Sequence, residues 1–315
     1  MKTTDEHSDT NSISKRIGIS IALTGVTSLL TAFLVTLAFG VGADRTILIS
    51  AHSASMEIQF SGDAGFWDLG SVLVCEPLVK IDRSRTRGTD ICDPRRYEQK
   101  HEIVSLKWQD GSHIVVSTNE EGSLEILLKN VAEYKSGTIL HLPRAEWSAL
   151  GALSFSGFAH LGQVAATGET KLLTSGAYDI REKPFLMNAT EIIKNGSFRP
   201  GEKVGVFRDD GKEQSQTRVY GYVLPSQHGP KNFQVSLVSE TGPSKISVSY
   251  LGGEDRIEIA PNWIDRSIAS PLILALSILV PVFLAIAQML LTATNSLGPI
   301  GVPAALRRFR RSMRR

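Results

Sequence analysis

The chain has 315 residues, 34 Lys+Arg against 32 Asp+Glu for a formal net charge of +2, two cysteines and a mean hydropathy of -0.01. By segment, nine of the basic and three of the acidic residues lie in the two tails, so residues 44–266 keep 25 basic and 29 acidic side chains. A mildly acidic middle of this kind gives no electrostatic support for nucleic-acid binding, and a chain of this length holds one or two domains.

Residues 1–16 are polar, without apolar periodicity, and are expected to form a disordered cytoplasmic tail. Residues 17–43 carry no charge and follow Lys15 and Arg16, the pattern of a first transmembrane helix with its N-terminus inside. The rival reading is a cleaved signal peptide ending near Ala38-Phe39-Gly40. The apolar run is longer than the 7–15 residues typical of such a core, which favours a retained helix. Within it Ser20, Thr24, Ser28, Ala32, Thr36 and Gly40 recur at every fourth position. A ridge of small residues lets helix backbones approach closely, so these six are the expected helix-packing face.

The middle of the chain alternates in twos and predicts an antiparallel sandwich or barrel-like β region outside the cytoplasm, flanked by the two transmembrane helices. A first β-rich subdomain, 44–184, is expected to hold strands at Thr46–Ser50, Met56–Phe60 and Ser71–Cys75. Next come Glu102–Trp108, His113–Ser117 and Ser123–Lys129, joined by short polar turns and read as an antiparallel meander. Strands at Thr138–Leu142, Ala152–Phe155 and Lys171–Ile180 complete it. Cys75 and Cys92 are the expected disulfide; closing a loop of that size stabilises by about 3 kcal/mol in the chain-entropy model. In and beside the loop Arg83, Arg85, Arg87, Arg95 and Arg96 crowd together, a candidate site for an anionic ligand or an acidic partner. The competing reading is a solvated, internally ion-paired loop.

A second subdomain, 185–262, is expected to begin with a short helix over 185–194, from the spacing of Ala189, Ile192 and Ile193. Five strands follow, at Lys203–Arg208, Thr217–Leu224, Phe233–Ser239, Lys245–Leu251 and Arg256–Ile259, enough for a small barrel or sandwich. Residues 267–294 predict a second transmembrane helix, kinked at Pro281. Residues 295–315 form a basic tail in which Arg307, Arg308, Arg310, Arg311, Arg314 and Arg315 face lipid and mark the cytoplasmic side. Together these features place the protein in a bacterial inner membrane with both termini cytoplasmic and the β region in the periplasm.

No nucleophile elbow, zinc-protease helix, phosphate loop or dinucleotide fingerprint occurs, so no catalytic residue, metal ligand or cofactor is assigned. His52, His101, His113, His141, His160 and His228 show no ligand spacing and read as strand or surface histidines. The expected function is that of a two-pass, membrane-anchored, non-catalytic binding or scaffold protein of the cell envelope. Its expected partners are membrane lipids and a protein of the envelope or membrane, not nucleic acid, with homo-oligomerisation left open. The alternatives are an envelope hydrolase whose catalytic residues come from separate strands, and an accessory subunit of a transporter or secretion complex.

Overall fold

Among the described residues, fifteen strands in one hydrogen-bonded network dominate the computed structural model of the chain. It describes residues 44–62, 65–78, 92–162, 171–183, 190–209, 215–226, 231–251, 253, 255–269 and 271–296, with isolated positions 25, 28, 29 and 32. The strands are β1 (Arg45–Ser53), β2 (Ser55–Phe60), β3 (Phe66–Pro77), β4 (Tyr97–Lys107), β5 (His113–Thr118), β6 (Leu124–Asn130), β7 (Ile139–Leu142) and β8 (Leu153–Leu161). They continue with β9 (Leu173–Glu182), β10 (Glu191–Phe198), β11 (Glu202–Arg208), β12 (Val219–Pro225), β13 (Phe233–Ser239), β14 (Ser244–Tyr250) and β15 (Arg256–Ile259). A short helix, α1 (Arg144–Leu150), precedes β8; α2 (Trp263–Ala269) and α3 (Pro271–Ser296) follow β15.

Every pairing is antiparallel, in the order β10-β9-β1-β13-β12-β8-β2-β5-β6-β7-β3-β4, with β11 joining β14 to β8 and β15 on the far side of β14. The alternation explains the strands. In β2, Met56, Ile58 and Phe60 are buried while Glu57 and Gln59 face outward; in β6, Leu124, Ile126 and Leu128 point inward. The inward residues form one apolar core, within which Phe60 and Trp108 stack at 4.4 Å and Trp67 meets both edge-on.

β8 is the strand that couples the two halves. Its first residues, Leu153–Gly157, pair with β12; Gly157–Leu161 pair with β2 on the opposite edge, and His160 and Leu161 also meet β11. Strands from both expected subdomains are thus interleaved: β1 lies between β9 and β13, and residues Met1–Trp263 form one compact unit. The meander is corrected as well. β5 and β6 pair as expected, but β4 pairs with β3, across the disulfide, and β5 pairs with β2 on its other edge. The expected helix near 185–194 is replaced, over its described part, by β10: Ile192 and Lys194 lie in the ladder with β9 across a bulge. β-branched Ile192 and Ile193 suit a pleated strand better than a two-turn helix.

Residues Ile264–Arg315 form the second unit. Among the described residues no helix is long and apolar enough to cross a membrane. α3 contains Pro281. Of the first expected span only positions 25, 28, 29 and 32 are described. The two-pass architecture is therefore not supported, nor is the inner-membrane placement with two cytoplasmic termini and a periplasmic domain. The fold class is corrected to a mainly antiparallel β protein.

Candidate functional site

The polar side chains that the fold gathers lie on the outer face of β8-β2-β5-β6-β7-β3, opposite the core. Cross-strand pairing sets them in rows. One row runs His160, Glu57, Val115, Leu127, Ile139, Cys75; the next runs Ser117, Glu125, His141, Leu73, His101. Neighbours in a row stand about 4.5–5.5 Å apart, so polar clusters at the two ends flank an apolar strip of Val115, Leu127 and Ile139.

In the first cluster an oxygen of the Glu57 carboxylate accepts hydrogen bonds from Lys129 Nζ at 2.5 Å and from His113 Nε2 at 2.8 Å. Burial alone would raise the Glu57 pKa, but these bonds and the charges of Lys129 and His113 outweigh it and hold it at about 2. Across the ladder His160 is pushed down to about 4, first by burial and then by the positive charge of Lys203, against a smaller opposing pull from Glu57. Gln216 Nε2 lies 2.9 Å from His160 Nε2, and the ring packs 5.8 Å from that of Phe207. At neutral pH the cluster therefore holds an ionised carboxylate and a neutral imidazole.

The second cluster is closer packed. Lys171 Nζ donates to Glu125 Oε2 at 2.9 Å and to Ser117 Oγ at 3.1 Å, and all three side chains are largely buried. A serine hydroxyl against a lysine is a pairing used by some hydrolases, but here the lysine is ion-paired with a carboxylate and the hydroxyl is covered. Elsewhere Arg45 is held between Glu182 at 2.7 Å and Asp209 at 3.0 Å, a link from β1 to β9 and to the end of β11.

Among the described residues no group of three or more His, Cys, Asp or Glu is placed to hold a metal ion. The Cys75–Cys92 disulfide is present, with Cα atoms 5.8 Å apart. It packs with Tyr97, Ile139, Leu73 and Leu127 in a small apolar cluster on the outer face. Of the five loop arginines, Arg95 and Arg96 are exposed, their backbone N–H groups bonded to Asp93; Arg83, Arg85 and Arg87 lie outside the described residues. So do the six tail arginines, His228, and Ser20, Thr24, Thr36 and Gly40 of the ridge, while Ser28 and Ala32 are exposed.

The sequence singled out the histidines but not Glu57, Glu125, Lys129 or Lys171. Strand alternation puts Glu57 on the face away from Met56 and Ile58, yet no local signal pairs it with a lysine 72 positions later. A third surface lies on β12 and β13, where Tyr220 and Tyr222 are exposed on one face of β12 and Val238 stands opposite Tyr220. Arg218 lies over the Tyr220 ring at 5.2 Å and is fixed there by bonds to Ser156 Oγ and the Ser61 carbonyl. No family model, no curated protein and no solved structure matches this chain.

Proposed function

We propose that the β unit is a non-catalytic binding or scaffold module that engages a protein partner through the Arg218, Tyr220, Tyr222 and Val238 face. The observation that carries this reading is that face. Two tyrosines, a valine and a pre-positioned guanidinium share one exposed patch of sheet, and Tyr and Arg are the residue types enriched at protein interfaces. The carboxylates of the two polar clusters, by contrast, are already neutralised by lysines of the same chain. The test is in-cell crosslinking followed by purification of the tagged full-length protein, comparing wild type with the Tyr220→Ala/Tyr222→Ala pair. A partner recovered by wild type and lost by the variant, with the variant's thermal stability intact, supports the reading. Equal recovery by both removes this face from it.

A hydrolase is the second reading, favoured by the 3.1 Å approach of Lys171 Nζ to Ser117 Oγ. It predicts turnover of activated esters by the purified protein that disappears in Ser117→Ala. Turnover unchanged by that substitution ends it.

A further inference from the structure

β11 meets the rest of the sheet network along β8 through two residue pairs, Val204↔Leu161 and Gly205↔His160, whereas its ladder with β14 has seven. We propose that this short seam is an acid-sensitive latch: protonation of His160 opens it and frees the inner end of the β11-β14-β15 ribbon. The ribbon's other end stays held by Arg45, which bonds Asp209 and the Ser244 carbonyl and pairs with Gly242.

The geometry around the ring is what makes protonation matter. A Cβ on Gly205 would come within 2.6 Å of His160 Nδ1, so the imidazole lies directly on the β11 backbone with no slack. Phe207 on β11 closes one side, and Gln216, bridged to Phe207, puts its carboxamide nitrogen 2.9 Å from Nε2. That contact is a hydrogen bond only while Nε2 is bare. A doubly protonated ring has two N–H donors and no acceptor, so the Gln216 amide must turn or leave.

The surrounding charges act in the same direction. Lys203 on β11 and Arg256 on β15 both disfavour a cation at His160, as does His113 on β5. Among the described residues Glu57 on β2 is the one counter-charge acting on the ring, and it already serves Lys129 of β6 and His113. Lys245 of β14 is paired with Glu258 of β15 at 2.8 Å and so adds little net field. Opening carries the ring into water and parts it from the two ribbon cations, so the open state takes up the proton first.

Folded and opened values of about 4 and 6.5 for this histidine set the size of the effect. The population of the opened seam rises about 20-fold between pH 7 and pH 5, and about 120-fold by pH 4. The experiment is hydrogen–deuterium exchange of the full chain from pH 7 to pH 4, with rates corrected for their intrinsic pH dependence. Protection of the Val204 amide, which faces β8, should fall by those factors in wild type and in His113→Gln, and should stay flat in His160→Gln. A flat profile in wild type, or an equal fall in His160→Gln, overturns the proposal. An NMR titration of the His160 ring in the wild-type protein is a check that needs no variant. Its midpoint must lie well below 6.5 and within the pH range over which protection is lost; an ordinary midpoint with the seam still closed refutes the latch.

Discussion

At the scale of single residues, the outer-face carboxylates show how much one acid depends on its neighbours. Glu57 is held at about 2 rather than its usual 4.5, so the folded state binds this proton more weakly than the unfolded chain does. Its stabilising contribution is complete above pH 4.5 and is lost as the pH falls through 2. The urea midpoint of the wild-type protein should therefore decline between pH 4.5 and pH 2 more steeply than that of Glu57→Gln, which has no such proton to take up. Parallel curves for the two proteins would show that Lys129 and His113 do not hold the carboxylate in solution. Arg45 carries a different risk. With Glu182 only 4% exposed at its side chain, Arg45→Ala leaves a buried carboxylate without that partner, and a loss of about 3–5 kcal/mol is expected in equilibrium denaturation.

At the scale of elements, β8 depends on a glycine. A Cβ on Gly157 would lie 2.1 Å from the Gln59 carbonyl oxygen and 2.7 Å from the Phe60 Cα, at the residue where β8 exchanges β12 for β2. Backbone on both counts cannot yield, so Gly157→Ala should cost more than about 4 kcal/mol or abolish soluble expression. Gly111 is the control. Its φ is +82 and nothing stands within 4 Å of its Cβ position, so Gly111→Ala should cost about 1–2 kcal/mol for the left-handed backbone alone. The β3-β4 hairpin depends on its disulfide in a similar way, because Cys75 sits in the ladder and Cys92 caps the small apolar cluster beside it. Replacing both cysteines by serine should lower stability by about 3 kcal/mol in urea denaturation, and reductant should do the same to wild type.

At the scale of the whole molecule, the interleaving of early and late strands has a consequence for cooperativity. β1 cannot leave without exposing β9 and β13, and β8 cannot leave without parting β2 from β12. Tryptophan fluorescence, to which the buried Trp67, Trp108 and Trp147 contribute, should thus report the same urea midpoint as far-ultraviolet circular dichroism of the entire sheet. Two separated midpoints would mean that the halves on either side of β8 unfold independently.

The amino-acid sequence by itself determined where most strands run. Side chains alternate with period two, and in β2 from Met56 to Phe60 and in β13 that alternation runs residue by residue. It also determined the disulfide, because two cysteines admit one pairing. What only the tertiary structure decided is which strand lies beside which. Pairing energy comes from backbone groups that every residue carries, so β4 could be read next to β5 when it lies next to β3. The candidate sites follow the same division. His113 and His160 are visible as letters, but their setting is made by Glu57, Lys129, Gly205 and Gln216, which reach them across strands. Charge runs and uncharged runs are one-dimensional quantities and gave a topology that the described helices do not support. The proximity that shifts a pKa, neutralises a carboxylate or leaves a seam two residues long exists only once distant segments are packed together.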